Sequence, residues 1–328
     1  MVSVPVPLAL PDIFTLDRYK YEASQASKFT IQQNAGSVTP PAGFVNYLGL
    51  TTASAVSIGT SDYFQVVQII EGLNIGDLAW GTASAKTVTL SFWVRSSLTG
   101  TFGGSLRNSA VNRSYPFSYT ISSANTWEQK SITIAGDTSG TWLTTNGIGI
   151  RLTFGLGNGS TFSGTAGSWS GSNFQNATGA TSVVGTLNAT WYITGAQLEV
   201  GSVATPFERR DYGRELMMCQ RYYEKSYNIS VVPGTVTETG VAYTIEANSS
   251  GNPSSAVFYN VRKRASATIT AYSPITGASG KVRNSGLGAD ENANVSPATP
   301  GENNFSVLGT TTTSGTPFRF HWVSSAEL

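Results

Sequence analysis

A single histidine, His321, sits in the alternating run "FRFHW" near the chain's end, and a single cysteine, Cys219, lies in "MMCQRYY". With one of each, no metal site can be built from His and Cys clusters, and no intrachain disulfide can form. A lone histidine in a strand reads as structural, and no Ser-His-Asp arrangement has independent support. Carboxylates are more numerous, at 19. A glycosidase needs two of them roughly 5–10 Å apart. Asp62, Glu71, Asp77, Glu128 and Asp137 share the first two-thirds of the chain, but none forms a catalytic motif. Carbonyls and carboxylates near Asp137 or Asp290–Glu291 could hold a structural calcium, although EF-hand spacing is absent. The expectation is therefore no cofactor and no catalysis.

Binding is the stronger chemistry. "FSGTAGSWSGSNFQN" (162–176) sets Trp169 and Phe174 in a Gly/Ser loop beside Asn173 and Gln175. An aromatic face can stack on a pyranose while side-chain amides bond its hydroxyls. The same loop also reads as a lid, with Trp169 folded back onto the body of the protein. The polar loop 284–304 offers a second surface, or a plain solvated connection.

The elements that position these residues are strands. "TVTLSFWVRSS" (87–97), "SYPFSYTISS" (114–123), "WEQKSITIAG" (127–136), "GIGIRLTFGLG" (147–157) and "NATWYITGAQLEV" (188–200) are short runs between Gly, Ser and Asn turns. Tyr115, Phe117, Tyr119 and Ile121 alternate with polar residues, the period of a half-buried strand. Trp93, Trp127 and Trp191 fall in such runs and read as core. "DYFQVVQIIEGLNIGDLAW" (62–80) reads as a strand ending near Glu71. The predicted class is all-β, a jelly-roll β-sandwich followed by a short helix and a small β-sandwich domain. The expected boundaries are an extended arm at 1–11, the jelly roll at 12–207, a linker helix at 208–226 and the last domain at 227–328. Asp211 is placed to cap the helix, with Leu216, Cys219, Gln220 and Tyr223 on one stripe. "SSAVFYNVRK" (254–263), "SATITAYSP" (266–274) and "TPFRFHWVSSAEL" (316–328) read as the later strands.

Composition narrows the class further. Only 12% of the 328 residues are charged and the formal net charge is +1, so no basic field exists to hold nucleic acid. No apolar run is long enough to span a membrane. "MVSVPVPLALPD" lacks the positive start of a signal peptide. Its Val4, Val6, Leu8 and Leu10 could anchor the chain to a particle.

Several blocks are more specific. "TLSFWVRSSLTGTF" (89–102), "NTWEQKSITIAGDTSGTW" (125–142), "ITGAQLEVGSVATPFERRDYGRELMMCQRYYEK" (193–225) and the ending "WVSSAEL" resemble bacteriophage tail-fibre and related virion surface proteins. The resemblance runs from about Asp17 to Leu328. It implies a jelly roll like that of carbohydrate-binding modules, a "CQRYY" helix, a terminal β domain and a homotrimer. It also implies work as a fibre or fibre-tip subunit, made in the bacterial cytoplasm, that contacts host glycans and other virion proteins. Relatives carry these domains behind a long shaft, whereas here the jelly roll begins almost at Met1. The alternatives are an architectural head-fibre or capsid decoration protein without a receptor, and a glycan-cleaving enzyme.

Overall fold

The computed structural model describes residues 6–7, 13–243, 254–295, 300–309 and 317–328. It is all-β apart from one α-helix and several single 3-10 turns among these residues. The chain divides into two compact units, Ser3–Glu208 and Arg209–Glu327.

The first unit is a sandwich of two six-stranded sheets. Its strands are β1 (Val6–Pro7), β2 (Ile13–Phe14), β3 (Tyr19–Ala23), β4 (Phe29–Gln33), β5 (Leu48–Thr52), β6 (Tyr63–Glu71) and β7 (Val88–Ser96). β8 (Gly100–Arg107), β9 (Ser114–Ile121), β10 (Glu128–Ile134), β11 (Ile148–Asn158), β12 (Ser163–Gly164), β13 (Asn176–Ala177) and β14 (Thr190–Val200) complete it. The first sheet runs β1-β4-β5-β14-β7-β10 and the second β2-β3-β6-β11-β8-β9, while β12 and β13 form a small parallel pair. The chain crosses repeatedly between the sheets, as in a jelly roll. β6 stops at Glu71, as its dense β-branched residues predicted.

Alternation sets the core. Val88, Leu90, Phe92 and Val94 of β7 face Ile150, Leu152, Phe154 and Leu156 of β11, and all are buried. Tyr115, Phe117, Tyr119 and Ile121 point the same way. Each such side chain contributes roughly 1.5–3 kcal/mol. Trp191 is core as expected, its Nε1 donating to Tyr119 Oη at 3.0 Å. Trp93 and Trp127 are not. With Phe92 and Val94 turned inward, Trp93 must point out of the sheet. Trp127 packs outside the first sheet against Tyr47 and Tyr192. Val6 pairs with Ile31 at the first sheet's edge. Val4, Leu8 and Leu10 lie outside the described residues.

The second unit starts with α1 (Tyr212–Gln220), capped as predicted by Asp211, whose Oδ1 accepts from the Arg214 amide at 2.9 Å. The helix buries none of its residues, and Cys219 is half-buried. Tyr223 does not extend the helical stripe. It begins β15 (Tyr223–Lys225), which pairs with β22 (Phe318–Ser325). The sheet also holds β16 (Ala242–Tyr243), β17 (Ser254–Phe258), β18 (Thr268–Tyr272), β19 (Lys281–Asn284), β20 (Ala289–Val295) and β21 (Asn304–Gly309). The expected loop 284–304 is therefore wrong over its first half. Asn284 Oδ1 accepts from the Gly286 and Leu287 amides, and Gly288 adopts φ 62°, which turns β19 back into the polar strand β20. Ala271, Val282, Phe305, Val307, Phe318, Phe320 and Trp322 form the core.

His321 is structural. It is fully buried, stacks on Tyr227 at 3.9 Å and contacts Ser226 Oγ through Nδ1 and the Thr237 carbonyl through Nε2, both at 2.9 Å. The carbonyl can only accept, so Nε2 carries the proton and Nδ1 accepts from Ser226. Burial pulls the imidazole below its ordinary value against the opposing pull of the Thr237 carbonyl. The unfolded chain, titrating near its ordinary value of about 6.5, then takes up the proton first. His321 thus adds stability above about pH 6.5, and that contribution falls as the pH drops through the folded value. Denaturant midpoints of the second unit at pH 7.5 and 5 should show the loss, and His321→Gln should reduce the difference.

Candidate binding groove on the second sheet

The outer face of the second sheet presents three rungs of side chains. Gly103, Gly155, Gln65 and Glu22 are register partners across β8, β11, β6 and β3. Ser105, Thr153, Val67 and Lys20 form the next rung. Arg107, Arg151 and Ile69 form the third. These residues share one face because each rung is two residues from the next.

The two glycines admit a loop onto this face. A Cβ on Gly155 would come within 2.3 Å of Asn176 Nδ2, and one on Gly103 within 2.3 Å of its Oδ1. Asn176 therefore lies flat on the sheet, and the loop from Phe162 that leads to it forms one wall. A polar chain runs from there across the floor. Asn176 Nδ2 donates to Asn158 Oδ1 at 3.1 Å, and Gln65 Nε2 donates to Glu22 Oε2 at 3.0 Å. Arg151 Nη1 reaches Glu22 Oε1 at 3.3 Å, and Lys20 Nζ lies 3.4 Å from the same oxygen. Arg107 donates to Asn173 Oδ1 at 2.9 Å and to Thr153 Oγ1 at 3.2 Å. Burial pushes the Arg107 guanidinium down to about 10; Glu22 opposes the change and Arg151 adds to it. Tyr63 and Phe162 meet edge to face at 5.5 Å at the Gln65 end.

Four buried side-chain atoms of this floor and wall have no hydrogen-bond partner: Ser105 Oγ, Arg107 Nε, Arg151 Nε and Gln175 Oε1. A buried polar atom left unpaired costs about 1–3 kcal/mol. Two N–H donors, one carbonyl acceptor and one hydroxyl are thus left unpaired among these buried residues. That set suits a ligand bearing neighbouring hydroxyls, each able to donate and accept.

The loop residues singled out from the sequence divide between two places. Asn173 belongs to the groove wall through its bond from Arg107, and Gln175 is buried beside Asn176, its amide donating to the Phe162 carbonyl. Phe174 packs on the backbone of Gly164, where a Cβ would meet its ring at 2.2 Å. Trp169 is the lid of the second reading. Its Nε1 donates to the Ala135 carbonyl at 2.8 Å, and its ring meets Trp80, Trp142 and Tyr115 at 5.2–5.5 Å. Lys20, Glu22, Gln65, Ser105, Arg107, Arg151 and Thr153 were missed. Their signal was the alternation itself, with Ser105–Arg107 and Arg151–Thr153 as the polar partners of buried Leu106 and Leu152.

The carboxylates sort differently. Asp137 receives a bidentate bond from Arg113 at 2.8 and 2.6 Å, plus bonds from Trp142 Nε1 and the Ser139 amide. Asp290 is held by Thr276 and Arg283, and Glu291 by Asn284. Among the described residues no cluster of His, Cys, Asp and Glu could hold a metal ion. Asp77 and Glu199 line a separate cleft of about 170 Å³ with Ile70, Leu78, Val88 and Leu198. That is below the roughly 300 Å³ at which small-molecule pockets begin.

No protein-family model matches this chain, and no curated protein sequence does. Several solved structures are similar in fold. The enzymatically active domain of tailspike protein 4 from bacteriophage CBA120 shares 10% identity over 59% of this chain and 21% of its own, with a TM-score of 0.33. A family 11 carbohydrate-binding module from Clostridium thermocellum, in complex with a mixed-linked tetrasaccharide, shares 12% identity over 62% of this chain and 99% of its own, at 0.31. A module named TmCBM61, in complex with β-1,4-galactotriose, shares 10% over 59% and 99%, at 0.29. The chain thus spans about a fifth of the tailspike structure and nearly all of each module. The all-β assignment rests on the sheets themselves.

Proposed function

We propose that the first unit binds a glycan in the groove on its second sheet and does not cleave it. The observation that carries this reading is that Ser105 Oγ, Arg107 Nε and Arg151 Nε, on adjacent rungs of one face, and Gln175 Oε1, in the loop that lies on that face, are all buried and unpartnered. Val67 and Ile69 lie buried on the same face, and Tyr63 with Phe162 gives it an aromatic end. A sugar ring presents the same mixture of hydroxyls and apolar C–H faces. Glu22 is tied to Gln65, Arg151 and Lys20, which suits positioning rather than proton transfer. The blocks at 89–102, 125–142 and 193–225 extend the reading to a phage virion surface, as a fibre or fibre-tip subunit contacting the host. The homotrimer and the virion partners come with that resemblance alone.

A glycan array probed with the full chain tests the binding. Ser105→Ala removes an unpartnered hydroxyl without orphaning any other group, so it should fold normally. Its affinity for the best array hit should fall about five- to tenfold, the worth of one hydrogen bond. Ser131→Ala, on the outer face of the other sheet, should bind as the parent does. Absence of any bound glycan, or equal binding by Ser105→Ala, would remove the groove from consideration.

A further inference from the structure

The opposite face of the sandwich carries an aromatic side chain that nothing in the fold uses. Of the seven tryptophans, Trp93 is the one with neither a ring partner nor a hydrogen bond through Nε1 among the described residues. It stands half-buried on the outer face of the first sheet, in the interior strand β7. Its neighbours on that face are Gln129 of β10 and Thr194 of β14 across the strands, with Ser91 and Arg95 two positions to either side.

Two segments roof the face and leave Trp93 between them. The turn after β14 covers one side. Thr89 Oγ1 donates to the Gly201 carbonyl at 2.8 Å, Thr133 Oγ1 to the Ser202 carbonyl at 2.9 Å, and Gln197 Oε1 accepts from the Glu208 amide at 2.8 Å. The segment between β4 and β5 covers the other. Trp127 Nε1 donates to the Thr39 carbonyl at 3.0 Å, and a Cβ on Gly49 would come within 2.5 Å of the Ala35 side chain. The two walls meet over β14, where a Cβ on Gly195 would strike the Phe44 ring at 2.5 Å and Phe207 meets that ring edge to face at 5.2 Å. The space between is a trough floored by Trp93, closed by Phe44 and Phe207, and open at the edge strand β10, where Gln129 is exposed.

The floor says what fits. The core of a protein interface sets its aromatic anchors among apolar neighbours. Here one indole is ringed by amide and hydroxyl groups, and the charged neighbour, Arg95, is tied to the Asn125 carbonyl and lies over the Tyr192 ring. The Gln129 amide and the Ser91 hydroxyl have no side-chain hydrogen bond among the described residues. An open indole face takes the apolar C–H face of a pyranose, and the amide and hydroxyl beside it take the ring's hydroxyls. We infer that this trough is a second saccharide site, separate from the groove on the second sheet, and that it takes a neutral sugar ring stacked on Trp93.

The test is a glycan array probed with the full chain and with Trp93→Ala, Gln129→Ala and Ser105→Ala. A set of neutral glycans should bind Trp93→Ala at least about tenfold more weakly than the parent and Gln129→Ala about fivefold more weakly. Ser105→Ala should bind that set unchanged, and its affinity should not vary with salt. Gln129 is exposed, so its variant probes the trough without disturbing the core. If no glycan separates both Trp93→Ala and Gln129→Ala from the parent, the inference is overturned, and glycans weakened by Ser105→Ala alone would leave the groove standing. A blank array for the parent would overturn both sites. Sedimentation of the parent and of Trp93→Ala checks the rival occupant: a lower mass for the variant would assign the trough to a second copy of the chain and overturn the inference.

Discussion

Replacing Lys263 by methionine is expected to remove most of the second unit's stability, a loss of about 3–5 kcal/mol. Lys263 and Glu224 are buried together, their side chains 0% and 2% exposed, with Nζ 2.5 Å from Oε2. Nζ also donates to the Gln220 and Val261 carbonyls and sits 4.5 Å from the Tyr259 ring centre. Glu224 Oε1 accepts from the Asn260 amide at 3.0 Å and from its Nδ2 at 2.7 Å. The pair thus joins the end of the helix, β15 and the segment after β17. Burial lowers the Lys263 ammonium from its ordinary value, while Glu224 holds it up. Methionine fills the space but strands a carboxylate and two carbonyls. A domain stable by only about 5–15 kcal/mol cannot absorb such a loss easily. Combining Lys263→Met with Glu224→Leu should cost less than the sum of the two, because no charge is then left alone. Urea unfolding followed by circular dichroism measures this. A loss below about 1 kcal/mol for Lys263→Met would show that the pair is solvated or replaceable.

Trp80→Ala should destabilise the first unit by a similar amount, about 3–5 kcal/mol. Trp80 is 6% exposed and meets Trp142 at 4.7 Å and Trp169 at 5.3 Å, all edge to face. Its Nε1 donates to the Lys86 carbonyl at 2.8 Å. Trp142 is anchored in turn by Asp137, which Arg113 holds bidentately. The three indoles close one end of the sandwich, and the loop carrying Trp169 depends on them. Trp169→Ala, at a half-buried position, should cost less, and its main effect should be on melting temperature. Differential scanning calorimetry on both variants separates the two sizes; an unchanged transition for Trp80→Ala would contradict the packing account.

The strands were legible because period two survives in β7, β9 and β11 whatever the neighbours do. The cap at Asp211 was legible because it is local chemistry. Failures came where one residue's meaning depends on distant partners. Trp93 and Trp127 are as apolar as Trp191, and only the inward choice of Phe92 and Val94 turns them outward. β20 is too polar to announce itself as a strand, and β19 and β21 supply its ladder from both sides. Tyr223 had helical spacing but was captured by the edge of β22. The groove was half visible. Asn173 and Gln175 stood out in a loop rich in recognition residues. Arg107 and Arg151 lie 44 positions apart in sequence and become neighbours only through the register of β8 with β11. Gly103 and Gly155 are the seat that lets Asn176 lie on the sheet.

The central claim is that the outer face of the second sheet is where a glycan sits. Hydrogen exchange of the full chain, with and without a saturating amount of the best array ligand, tests it most directly. The account predicts slowed exchange in 103–107, 151–155 and 173–177, with the second unit unchanged. Protection confined to the outer face of the first sheet, around Tyr47, Trp127 and Tyr192, or to the second unit, would contradict it.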